Sequence, residues 1–107
     1  LYKFKHSTRN LIRGSFKRSK NNLNKEYKTE KILGCTIKEF RIYIENRFKE
    51  SMCFDNHGQW HLDHIIPLSI AKTEEEIIKL NHYTNFQPLW AEENLKKSNT
   101  YEKLIME

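Results

Sequence analysis

The sequence has little cysteine and no long apolar run, and each shortage excludes a class of protein. Its two cysteines, Cys35 and Cys53, belong to no C-x-x-C pair. A four-cysteine zinc site within the chain is therefore excluded, and nothing else in the composition points to secretion or a disulfide framework. Two reduced, mostly buried thiols are expected. No apolar stretch approaches the roughly 20 residues that a membrane-spanning helix needs, and the start of the chain carries no signal-peptide apolar segment. A cytoplasmic, intracellular setting without a membrane partner is expected. The chain opens on Leu1 rather than Met, as a fragment or a trimmed chain does.

What is present suits one small domain: 107 residues, 37% hydrophobic and 31% charged. A core of that size is limited and depends on good packing. The net charge of +5 is unevenly spread. Residues 1–33 hold ten Lys or Arg against Glu26 and Glu30, a net of +8, and the remainder is net −3. Such asymmetry points to a polyanion at one end of the chain, with a solvated basic tail as the plain alternative. Arg9, Arg13, Lys17 and Arg18 are the leading candidates for sequence-independent, salt-sensitive phosphate contacts.

Periodicity gives a coarse map. Residues 7–19 read as a helix capped by Ser7 or Thr8, with Ile12 and Phe16 one turn apart and Gly14 as a weak point. Residues 20–28 read as a polar loop. A short helix over Thr29–Leu33 stops at Gly34, a natural residue just past a helix end. Thr36 and Glu39 have capping-box spacing, and Ile37, Phe40, Ile44 and Phe48 recur at helical intervals, which predicts a core-packed helix to about Lys49. Asp55 to Gly58 reads as a turn. Trp60 to Ile66 is rich in strand formers and ends before Pro67. Thr73 and Glu76 repeat the capping-box spacing and open a short helix to about Leu80. Tyr83 to Leu89 reads as extended or irregular, and a last helix runs from about Ala91 through Lys97. The order is α+β.

The chemistry is concentrated in the segment WHLDHIIPL at residues 60–68. Alternate strand side chains share a face, so Asp63 and His64 diverge unless the backbone bends there. A carboxylate holding a metal beside an imidazole near a water is a general-base arrangement suited to neutral pH. The second segment is NHYTNFQPLWAEENLKKS, residues 81–98.

Together, WHLDHIIPLS, a spacer and TNFQPLWAEENLKKSN resemble the HNH (ββα-metal) nuclease family, in particular its phage-type branch. The upstream GCTIKEFRIYIENRF and NHGQW also look like the lead-in of that branch. The resemblance covers about residues 34–99. A lone Asp-His pair is weak evidence, but D-H-I-I-P-L with N-x-Q-P-L-W and N-L-K-K at this distance is specific.

The resemblance implies a ββα nuclease core over residues 34–107, preceded by a basic helical segment at 1–33 that contacts DNA, in one compact unit overall. It implies Asp63 as a metal ligand and His64 as the base that activates water. Asn85 is implied as the brace of the ββ loop that helps orient His64, and Asn94 as the second ligand, standing where many members have a histidine. With Asp63 and Asn94 as oxygen ligands, Mg²⁺ is the expected ion and Mn²⁺ a substitute. The implied function is hydrolysis of double-stranded DNA, by nicking or, as a homodimer, by cutting both strands, in a phage or mobile-element setting. A catalytically silent DNA-binding module of the same fold is the alternative. A zinc-held interaction domain would need Cys35, Cys53 and histidines to converge, which their spacing does not support.

Other side chains carry weaker expectations. His61 shares a strand face with Asp63 and is either an accessory site residue or a surface histidine. Lys96 and Lys97 either steady a phosphate or sit at a solvated helix end. His6, His57 and His82 are expected to be structural or exposed, and Trp60 and Trp90 to fill the core.

Overall fold

A computed structural model of the chain describes residues 2–17 and 29–97. In order they form α1 (Tyr2–Lys17), α2 (Thr29–Leu33), α3 (Ile37–Glu45), β1 (Trp60–His64), α4 (Glu74–Leu80) and β2 (Phe86–Trp90). A final helical segment, α5, covers residues 91–97. Among the described residues the two strands form a single antiparallel sheet, so the fold is α+β as the pattern predicts.

The N-terminal helix begins five residues earlier than the sequence suggests. Neither Ser7 nor Thr8 caps it, because the Thr8 hydroxyl donates back to the Phe4 carbonyl at 2.9 Å, one turn earlier in the same helix. Phe4, Ile12 and Phe16 give α1 a continuous buried stripe, and that stripe extends the helix through Gly14 despite the glycine's poor propensity. Residues 18 and 19, and the expected polar loop at 20–28, lie outside the described residues.

Gly34 ends α2 with φ of +85°. A side chain there would also meet His82, since a Cβ would lie 2.7 Å from its Nε2. The capping box of α3 is complete: Glu39 N–H donates to Thr36 Oγ1 at 3.0 Å, and Thr36 N–H to Glu39 Oε1 at 3.1 Å. Glu30 adds a third partner by accepting from Ile37 N–H at 2.7 Å. The helix stops at Glu45, not near Lys49. Phe48 lies beyond its end and packs edge-on against Phe54 and Trp60, with ring centroids 4.9 and 5.1 Å apart.

In α4 the capping box is only half formed. Thr73 accepts from Glu76 N–H, but the Glu76 carboxylate turns to Lys72 N–H at 2.7 Å.

One core joins these elements. Phe4, Ile12 and Phe16 of α1 cluster with Ile32, Leu33, Phe40, Ile44, Trp60, Ile77 and Phe86. Each such side chain, fully buried, contributes about 1.5–3 kcal/mol. Trp60 keeps its polar atom satisfied by donating from Nε1 to the Cys53 carbonyl at 2.7 Å. Both cysteines are free thiols, and Cys53 is exposed where a buried thiol was expected. Burial, with Glu39 and Glu30 nearby, pushes the Cys35 thiol up to about 11. No described helix is long and apolar enough to cross a membrane.

Candidate functional site

β1 and β2 pair in a register that sets Asp63 opposite Gln87 and His64 opposite Phe86. β1 ends at His64, two residues short of the expected Ile66. The cause lies in the neighbouring segment. A 3₁₀ turn at Tyr83–Asn85 precedes β2, and there the Asn85 amide clamps the chain after His64. It accepts from Ile66 N–H at 2.8 Å and donates to the Ile66 carbonyl at 3.0 Å and the Leu80 carbonyl at 2.7 Å. Those bonds replace ladder pairing beyond Ile65, whose N–H reaches the Asn85 carbonyl at 2.8 Å. Pro88 sits inside β2 without penalty, because a two-stranded sheet has a free edge for a residue lacking N–H.

No bend brings Asp63 and His64 to one side. They occupy a regular strand and point to opposite faces. Asp63, 8% exposed, accepts from Gln87 Nε2 at 2.8 Å and pairs with the Lys97 ammonium at 2.9 Å, both at Oδ2. Lys97 Nζ also donates to the His64 carbonyl at 2.6 Å. The Lys97 cation is therefore cradled by two oxygens from consecutive residues of β1. Lys97 reaches there from α5, on which Asn94 stands one turn earlier; both are half-buried while Glu92, Glu93, Leu95 and Lys96 are exposed. Asn94 thus belongs to the helix side that faces β1, at the i,i+3 spacing from Lys97.

On the other face, the His64 ring lies against Phe86, with centroids 4.6 Å apart. Its Nε2 meets Asn81 Oδ1 at 2.8 Å. Burial holds the imidazole below its ordinary pKa; Asn81 and Asp63 partly offset this, and Lys97 adds to it. The net effect favours the neutral ring. The side chain bonded to the His64 ring is Asn81, while the Asn85 amide is committed to the Ile66 and Leu80 backbone that follows and flanks His64. Asn81 opens the second segment marked in the sequence and ends the α4 pattern, but no role was read for it there.

The remaining candidates are dispersed. His61 is exposed on β1 opposite Leu89. His57 stacks on Trp60, with centroids 4.3 Å apart, and His82 bonds Thr84 and abuts Gly34. Arg9 and Arg13 are exposed on α1. Lys17 closes that helix, and Arg18 lies outside the described residues. Among the described residues no three His, Cys, Asp or Glu side chains converge to hold a metal. An imidazole- or thiolate-rich centre has no counterpart there.

No family model matches this sequence, and no solved structure matches it. Two curated proteins of Acanthamoeba polyphaga mimivirus are similar to it. Uncharacterized protein L426 is 40% identical over 70 residues, which cover 63% of this chain and 31% of that protein. Uncharacterized protein L246 is 35% identical over 97 residues, covering 88% of this chain and 41% of that protein. The chain spans well under half the length of these relatives. They show that similar sequences are encoded by a giant virus.

Proposed function

We propose that the chain carries a metal-dependent HNH endonuclease site that hydrolyses phosphodiester bonds in double-stranded DNA. The observation that carries the reading is the order strand, strand, helix, with Asp63 and His64 closing β1, Asn85 locking the loop between the strands, and Asn94 on the helix that follows β2. These are the positions at which the sequence resembles that family.

The Asp63 surroundings suit a hard cation. A buried carboxylate oxygen and the adjacent His64 carbonyl already attract a positive charge, that of Lys97. Asp63 and Asn94 would hold the ion, and two oxygen donors favour Mg²⁺ or Mn²⁺ over tightly held zinc. Bound there, the ion would neutralise charge developing on the scissile phosphate and the leaving 3′ oxygen.

The chain's own residues supply the rest. His64, which leaves β1 at its end and on the face opposite Asp63, would accept a proton from a water placed past the strand end as the water's oxygen bonds to phosphorus. The P–O3′ bond breaks, and the 3′ oxygen leaves as a hydroxyl after taking a proton from solvent, with a 5′-phosphate on the other product. Lys97 sits within reach of the same carboxylate and is suited to move to a phosphate oxygen when a metal takes its place. Arg9 and Arg13 offer a basic, exposed helix face for backbone phosphates.

The reading is tested by incubating supercoiled plasmid with the protein in Mg²⁺, Mn²⁺ or EDTA, beside His64→Ala. Ion-dependent nicking that the variant lacks is expected. DNA binding without cleavage under either ion would replace the enzyme by a silent binding module.

A further inference from the structure

The side chain that holds His64 comes from outside both motif strands and outside the helix carrying Asn94. Asn81 closes α4, is 0% exposed, and uses each polar atom. Its Nδ2 donates to the Ile77 carbonyl at 3.0 Å. Its Oδ1 faces His64 Nε2 at 2.8 Å and the Ser15 hydroxyl of α1 at 3.4 Å.

The bond to Ile77 determines which way the amide points. Exchanging its oxygen and nitrogen would set an oxygen 3.0 Å from the Ile77 carbonyl oxygen with no proton between them, whereas Ser15, whose hydroxyl donates to the Leu11 carbonyl at 3.0 Å, could face either atom. A buried, unsatisfied carbonyl pair of that kind costs more than a hydrogen bond returns. With Oδ1 so fixed, the nitrogen facing it must carry the proton. A neutral imidazole has one N–H, so Nδ1 keeps its lone pair. Among the described residues Nδ1 has no hydrogen-bond partner.

We propose that Asn81 is a positioning residue that locks His64 as the Nε2–H tautomer and leaves Nδ1 as the proton-accepting atom. The catalytic meaning of this lock rests on the nuclease reading above; the tautomer itself does not. Two asparagines then divide one task. Asn85 fixes the backbone that leaves β1, and Asn81 fixes the ring.

The test uses the metal-free protein with ¹⁵N-labelled histidine, above pH 7.5, so that the ring is read without DNA or ion. Long-range ¹H–¹⁵N correlations distinguish a protonated from an unprotonated ring nitrogen. In the wild type, His64 Nε2 is expected to be protonated and Nδ1 bare. Asn81→Ala is expected to move both signals toward an average of the two tautomers. It should also lower kcat roughly 10–100-fold, a part of the 10²–10⁴ that a general base contributes, with KM for DNA unchanged. Asn81→Asp keeps an oxygen toward Nε2 but sets another against the Ile77 carbonyl; where it folds, Nε2 is expected to stay protonated.

A wild-type ring protonated on Nδ1 overturns the proposal, as does an Asn81→Ala protein that folds and keeps the Nε2–H pattern. If Asn81→Ala does not fold, the wild-type spectrum decides. Absence of cleavage by a wild type with the expected tautomer would remove the nuclease reading and leave the lock. Cleavage with the other tautomer would do the reverse.

Discussion

Replacing Asn85 by alanine removes the clamp on the chain after β1, and the cost follows from its partners. The side chain makes three hydrogen bonds, to Ile66 N–H, the Ile66 carbonyl and the Leu80 carbonyl, at 2.7–3.0 Å. Each is worth a net of about 0.5–1.5 kcal/mol. Ile66 is exposed, so water replaces part of what its two groups lose, whereas Leu80 is half-buried. A loss of about 2–3 kcal/mol is expected, which in a domain this small lowers Tm by about 10–20 °C. Asn85→Asp is expected to be at least as damaging, because it keeps one acceptor but turns a second oxygen toward two carbonyls. Urea and thermal melts followed by the fluorescence of buried Trp60 measure both, given a single cooperative transition. A loss for Asn85→Ala below about 0.5 kcal/mol, the scale of an ordinary surface change, would refute the clamp.

Other consequences are equally accessible. Gly34→Ala forces a left-handed backbone on a residue with a Cβ and sets that Cβ 2.7 Å from the His82 ring; a thermal melt should show a destabilisation of about 1–3 kcal/mol. Burial holds both His57 and His64 below the ordinary histidine value. The unfolded chain therefore binds more protons than the folded one in the window beneath about pH 6.5. Stability should be full above that pH and fall as the pH drops through the folded values. His57→Phe and His64→Gln should each flatten the decline seen in pH-dependent melts, and an unaltered slope would contradict the assignment. Neutralising Arg9 and Arg13 together should raise Kd for DNA and reduce the slope of log K against log salt by up to about 2; an unchanged slope would remove α1 from the interface.

Local physics was the most legible part of the sequence. The Thr36 and Glu39 box, the Gly34 terminus and the Ile37, Phe40, Ile44 stripe are short-range signals, and all three are met. The bounds that shifted depended on distant partners. α1 extends to Tyr2 because Phe4 finds Phe40 and Phe54 across the core, at centroid distances of 5.4 and 5.5 Å. β1 stops early because Asn85, 19 residues beyond Ile66, takes over its backbone groups. Cys53 is exposed, and in the 3₁₀ turn Phe54–Asn56 that follows it, Phe54 packs inward, against Phe4, Phe48 and Trp60.

The candidate site divides in the same way. Residue types and spacing marked Asp63, His64, Asn85 and Asn94, and the fold sets them on β1, on the turn before β2 and on α5. Lys97 was read either as a phosphate contact or as part of a solvated helix end, and its bond to Asp63 requires the helix to lie over that strand face. Asn81 stood at the start of the marked second segment without a role, since an asparagine ending a helix is an ordinary cap until the fold delivers a histidine to its oxygen. Strand alternation also correctly sends Asp63 and His64 to opposite faces, and no bend undoes it.

The measurement that tests the central claim most directly is cleavage of supercoiled plasmid by the wild type and His64→Ala, each in Mg²⁺, Mn²⁺ and EDTA. Nicked or linear DNA is expected with either ion, none in EDTA, and a loss of at least about 100-fold in the variant. Cleavage that persists undiminished in His64→Ala, or no cleavage by a folded wild type that binds DNA, would contradict it.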